Sequence, residues 1–228
     1  MRKLKAVVML AVAALLASPA FAADYPEYPP IDIPPVDYGL AGSFYLRGSA
    51  GINLSWARDA DYACACNVAI TGAGYGYSVG VGIGYETGDG LRADATIDFL
   101  SNDGLSDGSY TMNLRSTIAM INAYYDFGFD GLMTADGGWG AYVGVGLGGA
   151  YNHSEITGPI ATPNGDTISA AGALMTGVTY DMGTLVADLG YRMIYMPQIT
   201  NGAASASPFY INHPSIHEVR GTVRYRFN

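Results

Sequence analysis

Cys64-Ala65-Cys66, His153-Ser154-Glu155 and the pair His213 and His217 are the residues here whose types could support redox, nucleophilic or metal chemistry. Two thiols one residue apart can close a small, strained ring that is readily reduced. In an exported chain that loop disulfide is the leading reading, with metal binding and free thiols as the alternatives. Two cysteines with no histidine nearby fall short of a structural zinc set. The tripeptide at 153–155 carries triad letters, but successive residues on a strand point to opposite faces and cannot converge as nucleophile, base and orienter. His213 and His217 flank the last alternating segment and read as rim or loop residues. Gly80-Val81-Gly82-Ile83-Gly84 opens no helix, so it is not a phosphate loop. These residues give no catalytic set, no cofactor site and no metal site.

The elements that would position any chemistry begin with an export signal. Arg2, Lys3 and Lys5 precede an apolar run from Ala6 to Ala17, and Ala20-Phe21-Ala22 offers a small-x-small cleavage site. A dozen apolar residues are too few to cross a bilayer as a helix, so residues 1–22 read as a signal peptide. Cleavage there removes both lysines. Of the 11 basic residues eight arginines remain against 20 acids, a net charge of −12. That balance argues against nucleic-acid binding, which depends on neutralising phosphates. Residues 23–39 hold the proline-dense, acidic stretch Asp24 to Gly39, read as an extended periplasmic lead-in.

From residue 40 to 228 the dominant period is two. Phe44 to Trp56 sets Phe44, Leu46, Ile52, Leu54 and Trp56 against Tyr45, Arg47, Ser49 and Asn53. The same alternation recurs in Tyr75–Tyr85, Leu91–Phe99, Arg115–Phe127, Trp139–Tyr151, Ser169–Asp181, Leu185–Tyr195 and the closing segment to Phe227. Eight such segments, each about long enough for a tilted strand to span a bilayer, predict an all-β fold: an eight-stranded antiparallel up-and-down transmembrane β-barrel. Connectors at 57–72, 100–112, 154–168 and 197–214 are long and polar and are expected outside. Those at Thr87-Gly88-Asp89-Gly90 and around Met182-Gly183-Thr184 are tight, and 128–138 is intermediate. The aromatic residues sort into two bands, expected at the membrane interfaces: Phe44, Tyr85, Tyr125, Phe127, Trp139, Tyr180, Tyr225 and Phe227 at one rim, and Trp56, Tyr75, Tyr77, Phe99, Tyr151 and Tyr195 at the other.

If the apolar face meets lipid, the other face lines the interior. It carries Arg47, Arg92, Asp94, Asp98, Asp126, Asp188, Arg192, Glu218, Arg220, Arg224 and Arg226. Buried ions are tolerated only when paired, and the guanidinium fork suits carboxylates. An internal ion-pair network is therefore expected, with inward glycines on the second and fifth segments leaving room for it. Eight strands enclose a bore that side chains about fill, which argues against a wide pore on physical grounds.

Phe44-Tyr45-Leu46-Arg47-Gly48, Asn122-Ala123-Tyr124-Tyr125-Asp126-Phe127 and Val223-Arg224-Tyr225-Arg226-Phe227, together with the signal, resemble the small alphaproteobacterial outer-membrane proteins of the opacity/OmpA-like barrel type, surface antigens often called the porin family. The resemblance covers roughly residues 40–228. It implies a Gram-negative outer-membrane location and a non-enzymatic protein that contributes to envelope integrity and surface display. A low-conductance channel, or an adhesin or receptor acting through the long loops, are the alternatives. The expected partners are outer-membrane lipid and lipopolysaccharide, the barrel-assembly machinery during insertion, and a second copy of the chain as a homo-oligomer.

Overall fold

A strand whose two faces meet different surroundings alternates in side-chain character, and in the computed structural model the alternating segments are strands. It describes residues 42–62, 67–134, 137–159, 164–200 and 209–227. The signal at 1–22, the lead-in at 23–39, and Cys64 and Cys66 lie outside the described residues. Twelve strands and no helix are present among the described residues: β1 (Ser43–Trp56), β2 (Asp59–Tyr62), β3 (Asn67–Ala69), β4 (Gly74–Glu86), β5 (Leu91–Ser106), β6 (Thr111–Thr134), β7 (Gly137–Thr157), β8 (Gly165–Asp181), β9 (Leu185–Tyr195), β10 (Gln198–Thr200), β11 (Phe209–Asn212) and β12 (Ser215–Phe227).

Eight of these close on themselves in the order β1-β12-β9-β8-β7-β6-β5-β4, so every barrel strand pairs with its neighbours in sequence and β1 meets β12. All of the pairings are antiparallel, and the closing pair runs from Phe44↔Phe227 to Trp56↔Ser215. A closed sheet leaves no edge unpaired, which is the only way strands can cross hydrocarbon. At one end the turns are tight. The left-handed Gly90 (φ 88°) and Gly183 (φ 82°) let the chain reverse within a few residues, a conformation other side chains resist. Burial then separates the two faces. Outward Ile52, Ile121 and Leu147 are 70 %, 73 % and 75 % exposed, whereas inward Leu100 and Ile118 are at 0 %. An apolar belt of that extent is not the surface of a protein in water. It is a lipid-facing wall.

The bands of aromatic rings fall at the two ends of this wall. At the tight-turn end Phe44 packs on Tyr85 (centroids 5.0 Å apart), Trp139 on Tyr180 (4.9 Å) and Tyr225 on Phe227 (5.3 Å), with Tyr125 near Phe127 (6.4 Å). At the other end Trp56, Tyr195, Tyr75, Tyr77, Phe99 and Tyr151 are exposed on the outer face.

The connectors depart from expectation. The stretch 100–112 is largely strand: β5 and β6 run on past a register shift between Asn102 and Leu105, leaving a turn of four residues. The described residues of 154–168 and 128–138 are likewise mostly strand, the latter with a shift between Gly128 and Met133. The described parts of 57–72 and 197–214 contribute a four-stranded sheet in the order β10-β11-β2-β3. The physical reason is that apolar residues continue among the polar ones: Leu105, Met112 and Leu114, and Ile199, Phe209 and Ile211, are all buried. Burying those side chains repays the ordering of segments that composition alone marks as loop.

The small sheet grows directly out of the barrel. Trp56↔Ser215 and Asp59↔Asn212 share one register, as do Ser215↔Tyr195 and Gln198↔Asn212. Thus β1 leads into β2, β12 continues from β11, and β9 leads into β10, without a slip in pairing. What changes at the junction is the face. Buried positions there lie three residues apart on every strand, not two: Ala57 and Ala60, Pro214 and Ile211, Met196 and Ile199. Two successive outward residues on three adjacent strands make a shared bend, as a bulge does on one strand. The bent sheet covers the barrel mouth. Its Ile199, Phe209 and Ile211 belong to one apolar cluster with Leu105, Met112, Leu114, Met196 and Ile216.

Candidate functional site in the barrel interior

The inward faces of the eight strands collect nearly all the charge of the barrel. Nearest the tight turns, Arg226 grips both carboxylate oxygens of Asp181 (2.7 and 2.8 Å) and also contacts Glu86. Arg224 donates to both oxygens of Asp188 (3.0 and 3.1 Å) and to Glu86 (3.2 Å). A cavity of about 250 Å³ opens at this end, lined by Glu86, Asp126, Asp181, Arg224 and Arg226 among others.

The next layer is aromatic. Arg92 holds Asp126 through two parallel hydrogen bonds (2.8 and 2.9 Å). The Arg92 guanidinium lies 4.0 Å from the centre of the Tyr124 ring and 5.4 Å from that of Tyr142. Arg224 stands 5.7 Å from the Tyr45 ring. Desolvated guanidinium–ring contacts of this kind are worth about 2 kcal/mol each. Each of the three inward tyrosines is paired across strands with a glycine: Tyr45↔Gly84, Tyr124↔Gly144 and Tyr142↔Gly177. A Cβ at any of the three glycines would collide with the facing ring. The glycines are therefore the space in which the rings lie.

Above the rings, Asp94 accepts from Arg47 (2.7 Å), the Tyr45 hydroxyl (2.9 Å) and the Asn122 amide (2.7 Å), while Arg47 also donates to the Tyr124 hydroxyl (2.8 Å). Four residues then close a ring of ion pairs. Arg192 contacts Asp98 (2.7 Å) and Glu218 (3.0 Å), and Arg220 contacts the same two acids (3.0 and 3.3 Å). All four side chains are at most 5 % exposed. An isolated buried ion costs several kcal/mol, so this mutual neutralisation is what permits the charges to be there. The rest of the interior mixes apolar side chains, with Leu100, Ile118, Met120, Ile194 and Ile216 in one cluster with those of the bent sheet, and buried hydrogen-bonded amides and hydroxyls: Asn102 donates to Asn53 (2.6 Å) and Ser116 to Asn152 (2.6 Å).

All 11 charged residues assigned to the interior from the sequence lie on inward faces, with Asp126 and Arg226 partly open at the mouth. Glu86 and Asp181 were missed. They turn five acids against six arginines into seven, and supply the second partners of Arg224 and Arg226. Their signal was present: Glu86 continues the inward series of Gly80, Gly82 and Gly84, and Asp181 follows inward Thr179. The role of the tyrosines was missed as well.

Near the outer end of the barrel, Ser154 faces in and donates to the Gly165 carbonyl (3.2 Å), while His153 faces out to Asp166 (2.6 Å). The two do not converge. Asp61 in β2 accepts from the Asn67 and Asn212 amides (2.8 and 2.7 Å), which hold its carboxyl below the usual range. Among the described residues, no group of three or more His, Cys, Asp or Glu is placed to hold a metal ion.

Comparison with known proteins agrees with this architecture. Neisserial surface protein A is 20 % identical, with a TM-score of 0.51 over 81 % of this chain and 97 % of its own. The outer membrane protein OprG of Pseudomonas aeruginosa is 13 % identical (TM-score 0.46; 82 % and 97 % covered). Ail, the attachment invasion locus protein of Yersinia pestis, is 10 % identical (TM-score 0.40; 80 % and 98 % covered). No curated protein matches the sequence. The family model of the outer membrane protein beta-barrel domain matches residues 8–227. With its closed eight-stranded sheet and lipid-facing wall, the chain belongs to that family and resides in the bacterial outer membrane.

Proposed function

We propose that the protein is a non-conducting, non-enzymatic barrel that contributes to envelope integrity and presents β-structure at the cell surface. The observation that carries this reading is the filled interior. Ion pairs and tyrosine rings occupy the periplasmic half, and an apolar cluster continuous with the bent sheet, together with hydrogen-bonded Asn53, Asn102, Ser116 and Asn152, occupies the outer half. An ion entering from the periplasm would have to part paired arginines and carboxylates and then separate packed apolar side chains and the amides and hydroxyls hydrogen-bonded among them, and both steps are costly. Surface presentation is supported by the hairpins of β5–β6 and β7–β8, which carry polar outward residues such as Asp103, Arg115, His153 and Asp166 beyond the aromatic band.

Recording from purified protein in planar bilayers tests the reading. The expected trace shows no reproducible unitary steps across a range of voltages. Stable steps of one size would replace it with the small-channel reading.

A further inference from the structure

The bent sheet is fastened to the barrel unequally. Three of its strands continue β1, β9 and β12, and beyond β3 the backbone bonds go on: Thr71 and Gly72 donate to the Ser106 carbonyl (3.0 and 2.8 Å), and Ser106 donates to that of Gly72 (3.1 Å). The side facing β8 has no such ladder. β8 pairs with β7 from Ser154↔Gly165 to Gly138↔Asp181, but with β9 only as far as Gly172↔Tyr195. Residues 165–171 thus form an edge with no backbone partner among the described residues, and alternate residues turn their N–H and C=O towards it. Charge or proline ordinarily blunts such an edge, and residues 167–171 carry neither. What stands opposite is β10, still in step. Counting on from Gly172↔Tyr195, Ala171 falls opposite Met196 and Thr167 opposite Thr200. Side-chain contacts bridge the seam: the Thr167 hydroxyl donates to the Thr200 carbonyl, and the Ser169 hydroxyl meets the Met196 sulfur (3.5 Å).

The sequence, moreover, runs through the bend without changing phase. On β1 the lipid-facing series Ile52, Leu54 and Trp56 leads, two residues at a time, to Ala60. On β9 the outward Tyr191 and Tyr195 lead to Ile199, and on β12 the outward Val223 and Val219 run back to Ile211 and Phe209. The inward series lead in the same way to Asp61, Gln198 and Asn212. Only the bend turns Ile199, Phe209 and Ile211 to the lumen, and the hydrogen-bonded row of Gln198, Asn212 and Asp61 to the outside. Straightened, the same strands would prolong the barrel with its own polarity, apolar towards lipid and polar towards the lumen.

We propose that the small sheet is a flap with two seats, and that the position of the hydrocarbon boundary selects between them. In the covering seat it closes the mouth as described. In the upright seat the bends at 57–59, 196–198 and 212–214 straighten, β10 zips onto the edge of β8 from Met196↔Ala171 to Thr200↔Thr167, and the wall grows taller. Ile199, Phe209 and Ile211 need an apolar neighbour in either seat. They find it over the lumen when the bilayer ends at the outer aromatic band, and in lipid when hydrocarbon reaches past that band. In a matching bilayer the upright seat is the minor one, because it would leave those three side chains in water. Its opening bares only the outer part of the lumen, and the ion-pair and tyrosine layers stay closed beneath. The inference therefore goes beyond the non-conducting reading and does not depend on it.

Disulfide trapping in the full mature protein tests this. In the covering seat Ser169 points into the lumen and the exposed Gln198 points away from it, whereas in the upright seat the two stand opposite on one face. Ser169→Cys/Gln198→Cys is made in a Cys64→Ser/Cys66→Ser background. Ser169→Cys/Asn67→Cys, whose partners stay strands apart in both seats, is the control. Each variant is placed in vesicles of dilauroyl- or dierucoylphosphatidylcholine, a thin and a thick bilayer, and exposed to a mild oxidant. A heat-dependent shift in gel mobility confirms that each is folded. A seat populated at about 0.1–10 % is still captured, because oxidation accumulates it. The 169–198 pair should link in both bilayers, at least about tenfold faster in the thick one, and the control pair should not. Linking no faster than the control, or at one rate in both bilayers, would overturn the proposal.

Discussion

Arg192 is the most informative single residue to remove. Its guanidinium bridges Asp98 at 2.7 Å and Glu218 at 3.0 Å, and its side chain is 2 % exposed. Replacing it with Met keeps the length and apolar bulk but deletes the charge. Arg220 is then the only cation in contact with both acids, at 3.0 and 3.3 Å, and it cannot neutralise two carboxylates. The ring is left with one uncompensated buried negative charge, which costs about 3–5 kcal/mol when a single member of a buried pair is lost. Equilibrium urea unfolding in lipid vesicles measures the cost. Trp56 and Trp139 lie on the lipid-facing wall, so their fluorescence follows exit from the bilayer. The cycle is completed with Glu218→Gln and the double variant Arg192→Met/Glu218→Gln. Because the pair is in direct contact, the double variant should be destabilised by at least about 1 kcal/mol less than the sum of the single effects. A loss under about 1 kcal/mol for Arg192→Met, or strict additivity across the cycle, would refute the claim that these charges are held in place by one another.

Two further perturbations probe the rings and the bent sheet. A Cβ at Gly190 would fall on the Tyr142 hydroxyl, so Gly190→Ala should cost about 1–3 kcal/mol, and adding Tyr142→Phe should restore most of it; no rescue in urea unfolding would mean the glycine does not serve the ring. Asp61 has a folded pKa below its unfolded one, owing to the Asn67 and Asn212 amides. Its contribution is therefore complete above the unfolded value and is lost as pH falls through the folded value. Limited proteolysis of the small sheet in vesicles should accelerate as pH drops from about 5 to 3, and Asp61→Asn should flatten that dependence; a pH response unchanged in Asp61→Asn would remove this carboxylate as the cause.

The barrel was legible because a strand between lipid and a charged interior writes its two faces into alternate residues, as in Leu91 to Phe99. The ion pairs were legible for the same reason; Glu86 escaped because its segment was ended at Tyr85, and Asp181 because the inward series of its segment was followed only to Thr179. The bent sheet was not legible. Its strands are three or four residues long, its pairing joins β2 to β11 across most of the chain, and the doubled outward residues at Arg58-Asp59 and Asn212-His213 erase the period of two where it would have been needed. The tyrosine layer was readable only with the register known, since Tyr45 and Gly84 declare themselves partners only once their strands are aligned.

The unbroken register across the β1–β12 closure has a bearing on how such a cylinder finds its correct size. A slide of two residues along that seam would keep every greasy side chain facing outward, so the bilayer could not tell the right closure from the wrong one. The small sheet can. With the slide, Asp59 would no longer meet Asn212, the amide of Asn212 would lose Asp61, and Pro214 and His213 would not line up with Ala57 and Arg58 to fold over together. The lid is thus a gauge for the join, and it shuts only on a cylinder closed in the right place.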